Sequence, residues 1–320
     1  MFRNGGRPGS NGCTSAGTAE LQPGLSGLPR WGPRRSCDPG ARGRLCDPPA
    51  GEDRGEVHGR PPGRRREQPA PGPRLDHLRG DAGSPGRRGV RLLRAVLGES
   101  FRLPGTSAAD LDGGISIDGM EHIDAALERG RGVIVALPHL GGWEWAAFYL
   151  AEVRNIAVAA VVEPVEPPEL AEWFLGLRRA FGINVVPLGP SAGTESARAL
   201  KQNHLLCLLC DRDLSGGGVE VEFFGERTTL PGGPATLALR SGAPLLPAAA
   251  YFEGAGHHGV VRPPLDLSRT GRLRDDVARL TQALAHQLED LIRAAPEQWH
   301  LMQPNWPSDI EAAQKRRSEA

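Results

Sequence analysis

The sequence contains no run of 18 consecutive apolar residues, and its first five residues, Met-Phe-Arg-Asn-Gly, open no apolar stretch. The first absence predicts that the chain has no transmembrane helix, and the second predicts no secretory signal peptide. Cysteine is scarce, with five in 320 residues. That is too few for a disulfide-stapled scaffold, and we expect a reducing, cytoplasmic setting. Lys201 and Lys315 are the only lysines among 38 basic residues, a bias typical of GC-rich coding DNA.

The charges are divided unevenly along the chain, although 38 basic and 38 acidic side chains cancel overall. Residues 1–90 hold 16 Arg, no Lys and nine acidic residues, together with 19 Gly and 13 Pro. Such a composition cannot bury enough apolar surface to offset the entropy of ordering. We therefore predict that residues 1–95 are a low-complexity segment, either disordered or produced by a reading-frame error. An Arg-rich tail that binds anionic lipid, or an inert extension, is the alternative.

The rest of the chain has the composition of an ordinary globular domain. We predict one folded domain at 96–310 and a C-terminal tail at 311–320. Acidic residues outnumber basic ones beyond residue 90. This excess argues against nucleic acid as a partner, because a nucleic-acid binder needs positive charge to neutralise phosphates.

Short apolar runs alternate with amphipathic segments from about residue 99 onward. Such runs are typical of strands buried on both faces of a parallel sheet, and the segments between them have the period of helices. The pattern predicts an α/β fold with a mostly parallel central sheet flanked by helices, an α/β/α sandwich. We predict strands at 133–138, 157–162, 183–187, 205–210, 219–224, 243–251 and 258–262, and helices at 117–130, 143–152, 194–201 and 274–294, with another helix opening at 167.

Three of the predicted strands end in residues that can carry chemistry. His139 follows the first strand, Glu163 follows the second, and Asp211 and Arg212 follow the strand at 205–210. Ligands bind beyond the carboxyl ends of the strands in open parallel sheets, so we expect these side chains at one edge, within reach of Arg178. A neutral imidazole is a suitable general base for a hydroxyl near neutral pH.

A carboxylate on the far nitrogen of the imidazole would fix its tautomer, and two residues are candidates for this role. Glu144 opens the next predicted helix, and Gly141 and Gly142 permit a tight turn that can bring its carboxylate beside His139. Asp211 is expected at the same sheet edge. The sequence alone favours neither, and a helix-capping histidine with an exposed Glu144 is the alternative without catalysis.

Other catalytic signatures are absent or weak. The sequence has no Gly-x-Ser-x-Gly elbow, no Walker loop and no Gly-x-Gly-x-x-Gly after a strand, which argues against a serine hydrolase and a nucleotide site. Cys207 and Cys210 have redox spacing but fall inside an apolar run, so we interpret them as buried thiols. The remaining histidines lack the spacing of metal ligands, and we predict no metal site. Phe224 and Gly225 either line an acyl pocket or simply end a strand.

Several ordered blocks of the sequence resemble one enzyme family. Residues 136–144, Ala-Leu-Pro-His-Leu-Gly-Gly-Trp-Glu, look like the His-x4-Asp/Glu block of the bacterial lysophospholipid and lipid A-type acyltransferases. Residues 211–214, 218–234, 245–247 and 299–306 are similar to later blocks of that family, in the same order. Within the family, the blocks look like those of actinobacterial members that acylate a phosphatidylinositol mannoside.

The resemblance implies transfer of a fatty acyl group from acyl-coenzyme A to a hydroxyl of a glycolipid, without a further cofactor. It also implies a peripheral protein on the cytoplasmic face of the cell membrane. It gives His139 the role of general base, aligns Asp211 with a family glutamate that orients the histidine, and places Glu144 at the acidic end of the motif. Arg178 matches an arginine near the donor or acceptor phosphates, a role for which Arg212 is a second candidate.

We also assign Glu163, Phe224 and Gly225 to substrate binding. Asp211 is one methylene shorter than the glutamate of the family, so its contact with His139 is expected to be longer or shared with Glu144. Two other functions fit the same residues. One is a lipid-binding protein without turnover, and the other is an acyl thioesterase that uses water as the acceptor.

Overall fold

A seven-stranded sheet forms the centre of the protein. The computed structural model describes residues 87–163, 165–214, 216–301 and 303–319. The strands are β1 (Ile115–Asp118), β2 (Val133–Leu137), β3 (Val158–Val162), β4 (Asn184–Pro187), β5 (Leu205–Leu209), β6 (Val219–Phe223), β7 (Glu226–Leu230), β8 (Leu245–Glu253) and β9 (Gly256–Val261). The sheet has the order β1-β9-β8-β2-β5-β3-β4, and β6 and β7 form a separate hairpin. All neighbouring pairs of the sheet are parallel except β8 and β9.

Helices cover both faces of this sheet. They are α1 (Arg87–Arg102), α2 (Ala108–Gly113), α3 (Met120–Glu128), α4 (Trp143–Phe148), α5 (Pro168–Ala180), α6 (Ala192–Lys201), α7 (Gly233–Ser241), α8 (Leu273–Ala294) and α9 (Pro307–Glu319). Buried residues of α2 to α5 pack into one hydrophobic cluster against the sheet. Buried residues of α6 to α8 pack into a second cluster on the opposite face. The predicted α/β/α sandwich with a mostly parallel sheet is confirmed.

The central strand β2 explains why the strand predictions succeed. All five of its residues are buried, and it pairs with β5 on one side and β8 on the other. A strand with neighbours on both sides and helices on both faces has no solvent-facing side chains, so its sequence is a continuous apolar run. The strands expected at 133–138, 157–162, 183–187 and 205–210 match β2 to β5 to within one residue at each end.

The helix predicted over 117–130 is confirmed at Met120–Glu128, but it begins three residues later than predicted. Strand β1 occupies the first part of this range, and α3 begins only at Met120. The burial of β1 alternates with period two, as expected for a strand at the edge of the sheet. Gly119 separates the two elements with φ 79°, and a Cβ there would overlap the carbonyl oxygen of Val261. Only glycine meets both conditions, so the chain turns here instead of continuing as a helix.

Six elements were not anticipated as separate units: β1, β7, α1, α2, α7 and α9. The helix predicted at 143–152 is α4 followed by a π-helical turn at Tyr149–Val153. Helix α1 spans the predicted division of the chain at residue 95, which stays a prediction. The expectations for residues 1–86 lie outside the described residues. Among the helices that the structure describes, none is both long and apolar enough to cross a membrane.

A segment after α8 returns to the carboxyl ends of the strands. We call residues 296–301 and 303–306 the C-terminal strap. Trp299 forms an isolated antiparallel bridge with Leu140, and the backbone N–H of His300 donates to the carbonyl oxygen of His139 at 2.7 Å. Trp306 is buried, and its indole N–H donates to the carbonyl oxygen of Phe223. The strap is therefore attached both to the end of β2 and to the β6–β7 hairpin.

Candidate active site

His139 stands at the carboxyl end of β2, on a turn whose backbone is held from two sides. The N–H of Gly141 donates to the carbonyl oxygen of Gln298 in the strap, and that of Gly142 donates to the carbonyl oxygen of Ala250 in β8. Gly141 has φ 59°, and a Cβ there would overlap Ala250. The glycines of the motif thus let the turn lie flat against β8, which fixes the position of His139.

The imidazole of His139 faces the carboxylate of Asp211. Its Nδ1 lies 2.6 Å from Oδ1 of Asp211, and its backbone N–H donates to Oδ2 at 3.0 Å. An ionised carboxylate can only accept, so Nδ1 carries the hydrogen and Nε2 keeps a lone pair available to a substrate. The side chain of His139 is 14% exposed, whereas that of Asp211 is fully buried.

Asp211 is kept ionised by the groups around it. Burial alone would raise the pKa of this carboxyl, but the electrostatic interaction with His139 and hydrogen bonds from His139 and Trp299 hold it below its usual value. The indole N–H of Trp299 donates to Oδ2 at 2.7 Å. The side-chain amide of Asn305 donates to the backbone oxygen of Asp211 at 3.1 Å. The strap therefore supplies two of the donors that surround this residue.

Glu144 does not touch His139 in this arrangement but pairs with Arg178. Both guanidinium donors, NH2 and Nε, contact its carboxylate, and the two side chains are only 8% and 16% exposed. Arg178 also lies over the ring of Phe174, 5.3 Å from its centroid. The pair thus joins α4 to α5. The expectation that Asp211 makes a long or shared contact with His139 is wrong, because Asp211 makes a short contact alone.

Arg212 is the second arginine at this edge, and it too is paired. Its NH2 lies 2.5 Å from Oε2 of Glu163, and its NH1 donates to Oε1 of Gln303 in the strap. Its Nε is buried and has no hydrogen-bond partner. The structure therefore brings Glu163 and Arg212 together beside His139, as the ends of neighbouring parallel strands predict.

Phe224 and Gly225 lie in the turn of the β6–β7 hairpin. Phe224 is buried, its ring packs against Phe223 and Trp299, and its backbone N–H donates to Glu289. Neither Phe224 nor Gly225 is among the residues that line the cavity beside His139. Phe224 therefore packs against Trp299 of the strap. Its predicted contact with an acyl chain stays a prediction.

A cavity of about 830 Å³ opens beside His139. It extends along the carboxyl edge of the sheet and beneath α1, α3, α4 and α5, with mainly aliphatic walls that include Leu97, Ile123, Leu137, Ala147 and Leu170. The polar residues at its border are few and include His139, Glu144, Glu163, Arg178, Arg212 and His300. A long apolar cavity with a few convergent polar groups is the usual form of a site for an apolar ligand.

His300 is a polar residue of this cavity that sequence reasoning did not single out. Burial and the nearby His139 lower its pKa to about 4, although a hydrogen bond to the backbone of Gly141 opposes the shift. The ring is therefore neutral at pH 7, and its Nε2 is buried without a hydrogen-bond partner. Its place in a matching sequence block was the only available signal, because no periodicity links residue 300 to the end of β2.

Cys207 also borders the cavity, while Cys210 is buried on the other side of the sheet. Burial, with a smaller contribution from Glu144, raises the pKa of the Cys207 thiol to about 12. A thiol with such a pKa is unreactive near neutral pH. Among the residues described by the structure, no group of His, Cys, Asp and Glu side chains is arranged to hold a metal ion.

Comparison with known proteins identifies the family and several relatives of this chain. A sequence model of the family described as bacterial lipid A biosynthesis acyltransferase matches residues 87–308. The chain is 40% identical over 223 residues to a phosphatidylinositol mannoside acyltransferase of Mycobacterium tuberculosis, covering 68% of each chain. It is 38% identical over 223 residues to the protein of the same name from Mycolicibacterium smegmatis, covering 68% of this chain and 71% of the relative.

A more distant relative lies outside the mycobacteria. The chain is 24% identical over 186 residues to a lipid A biosynthesis acyltransferase of Haemophilus influenzae, covering 57% of this chain and 55% of that protein. The family match includes the turn that holds His139, the end of β5 with Asp211, and the strap that surrounds them. The chain therefore belongs to the bacterial lipid A biosynthesis acyltransferase family.

Proposed function

We propose that this protein transfers a fatty acyl group from acyl-coenzyme A to a hydroxyl of a phosphatidylinositol mannoside, with His139 as general base. The observation that carries the proposal is the contact of His139 with Asp211 at the border of a long apolar cavity. The names of the two mycobacterial relatives support a phosphatidylinositol mannoside as the acceptor. A lipid acceptor also supports action at a membrane surface, which we place at the cytoplasmic face, with the protein bound peripherally.

The proposed reaction converts the thioester of the donor into an ester of the acceptor, and it needs two proton transfers. Nε2 of His139 takes the proton of the acceptor hydroxyl while the hydroxyl oxygen attacks the thioester carbonyl carbon. Asp211 stabilises the imidazolium that forms. The carbon–sulfur bond then breaks, and the imidazolium returns the proton to the leaving thiolate of coenzyme A. Positioned general-base catalysis of this kind contributes roughly 10²–10⁴-fold, and no covalent acyl-enzyme is required.

The cavity is the proposed binding site for the fatty acyl chain of acyl-coenzyme A. Its mainly aliphatic walls would bury a fatty acyl chain away from water. The polar border near His139 would hold the thioester and the acceptor hydroxyl. In this proposal Nε2 of His300 accepts a hydrogen bond from a second hydroxyl of the acceptor, since its lone pair is otherwise buried and unpartnered.

Arg212 is the better candidate of the two arginines for binding a phosphate. Its Nε is free of a hydrogen-bond partner, and its partners Glu163 and Gln303 lie at the border of the cavity. Arg178 contacts both oxygens of Glu144 and rests on Phe174, so a phosphate would have to displace an existing buried pair. Because displacement of a buried pair is costly, we assign Arg178 mainly to holding α4 against α5.

The test compares the full-length protein with His139→Ala and a matched control, His258→Ala. His258 lies on β9, pairs with exposed Asp118 and is not among the residues that line the cavity. Labelled acyl-coenzyme A and purified phosphatidylinositol mannoside are supplied in mixed micelles, and the product is measured by mass spectrometry. We expect His139→Ala to keep the fold, with a cooperative thermal transition, and to lower turnover by roughly 10²-fold or more, with the control near wild type. Near-normal turnover by His139→Ala would overturn the proposal.

The same assay separates the two alternatives. Binding of both lipids by the wild-type protein without any product would favour the lipid-binding protein. Release of free fatty acid at the same rate with and without acceptor would favour the thioesterase.

A further inference from the structure

We propose that Trp299 is a positioning residue, which orients the carboxylate of Asp211 toward His139 through its indole N–H. The inference rests on the proposed role of His139 as general base. It concerns a residue that contacts no substrate in the reaction described above and acts only through Asp211. The argument starts from the hydrogen bonds of one buried carboxylate.

The two oxygens of Asp211 have different partners. Oδ1 faces Nδ1 of His139 at 2.6 Å. Oδ2 accepts from the indole N–H of Trp299 at 2.7 Å and from the backbone N–H of His139 at 3.0 Å. Two donors on Oδ2 fix the rotation of the carboxylate about its last bond, and this rotation decides where Oδ1 points. Trp299 supplies the one side-chain donor among these two.

Burial makes the contribution of Trp299 large. The side chain of Asp211 is 0% exposed, so water cannot replace a lost donor. Hydrogen bonds to a charged group contribute more than those between neutral groups, and an ionised oxygen left without its donor carries the full cost of desolvation. Without the indole N–H, only the backbone N–H of His139 remains of the two donors to Oδ2, so the carboxylate is free to rotate about its last bond. It then no longer holds the imidazole in the orientation that presents Nε2 to a hydroxyl.

The backbone and the aromatic packing hold Trp299 in place. Trp299 forms a backbone bridge with Leu140, the residue after His139. The N–H of the next strap residue, His300, donates to the carbonyl oxygen of His139. The indole packs against Phe224, with ring centroids 5.5 Å apart, and edge-on against Trp306 at 6.2 Å. The donor is therefore fixed before a substrate arrives, which is the condition for a preorganised catalytic pair.

A matched pair of variants tests the proposal in the full-length protein. Trp299→Phe keeps an aromatic ring and removes the N–H donated to Asp211. Trp306→Phe makes the same change in the same aromatic cluster, but its indole N–H donates to the carbonyl oxygen of Phe223. We expect Trp299→Phe to lower kcat by roughly 10-fold or more with KM within about twofold, as expected for loss of a hydrogen bond to a charged group. The control keeps kcat within about twofold of wild type.

A double variant shows whether Trp299 acts through Asp211. In the Asp211→Asn background, Trp299→Phe should lower kcat no further, because the carboxylate that it orients is gone. Should Trp299→Phe fold poorly, 3-benzothienylalanine at position 299 replaces the N–H by sulfur in a ring of the same shape and is expected to give the same loss of kcat.

The outcomes separate this inference from the proposed function. If His139→Ala is inactive while Trp299→Phe and the benzothienyl variant both keep wild-type kcat, the inference fails and the proposed function stands. An equal loss from Trp306→Phe, or a loss that is fully additive with Asp211→Asn, would also overturn the inference. If His139→Ala is active, the proposed function fails first.

Discussion

The buried pair of Glu144 and Arg178 yields a prediction that separates a structural role from a role in binding substrate. Replacing Arg178 by alanine leaves the carboxylate of Glu144 in a site where it is only 8% exposed. Removing one partner of a buried ion pair costs about 3–5 kcal/mol, because the remaining charge has lost both its partner and its water. The contact of Arg178 with the ring of Phe174 is lost as well, at about 0.5–1 kcal/mol.

We therefore expect Arg178→Ala to lower the free energy of unfolding by about 4 kcal/mol. For a domain of this size, each kcal/mol shifts Tm by roughly 2–4 °C, so the melting temperature should fall by about 8–16 °C. Adding Glu144→Gln removes the stranded charge. The double variant should be more stable than Arg178→Ala alone, with a coupling energy of roughly 1–3 kcal/mol.

Urea unfolding followed by tryptophan fluorescence measures these differences, and the acyl-transfer assay gives KM for acyl-coenzyme A on the same samples. Arg179→Ala is the matched control, because this neighbouring residue of α5 is exposed and should change stability by less than about 0.5 kcal/mol. The reasoning is refuted if Arg178→Ala melts with the wild type while KM rises tenfold or more. That result would mean that Arg178 serves a substrate phosphate and that Glu144 tolerates its removal.

Two further predictions concern stability. Asp276 is fully buried and accepts hydrogen bonds from the backbone and hydroxyl of Thr270 and from Arg269, which hold its pKa well below the usual value. The ionised carboxylate therefore stabilises the fold above the unfolded pKa of about 4, and this stabilisation is lost as the pH falls below that value. The decrease in the free energy of unfolding caused by Asp276→Asn should thus be constant between pH 8 and pH 5 in urea melts. Gly142→Ala places a Cβ against the ring of His257 and should cost about 1–3 kcal/mol, whereas Gly176→Ala in α5, where a Cβ meets nothing, should not destabilise. A Gly142→Ala protein as stable as Gly176→Ala in the same melts would contradict this.

The sequence indicated the edge of the sheet where the site lies but not the pairing within it. His139 and Asp211 follow β2 and β5 at equal distance, because Leu137 and Leu209 are register partners and each site residue comes two positions later. That adjacency cannot be read from chain order, since β3 and β4 lie between the two strands in sequence. Glu144 was an equal candidate because its spacing from His139 is short, yet its helix turns it toward α5 instead.

Features that depend on long-range contact were the hardest to predict. Strand β1 is four residues long and is followed directly by α3, so one helical pattern covered both. Trp299 and His300 reach the site only because the strap crosses the end of β2, a contact between residues far apart in the sequence. Local periodicity carries no information about such a contact, whereas buried parallel strands can be predicted from their apolar composition alone.

The C-terminal strap has a consequence for how the protein is made. Asp211 receives donors from residues 88 and 94 positions further along the chain, Trp299 and Asn305. A ribosome that has translated the whole sheet has still produced a protein whose Asp211 lacks these two donors. Messages interrupted before the codon for residue 299 should therefore give a protein with lower activity than the full chain, because Asp211 never gains these donors.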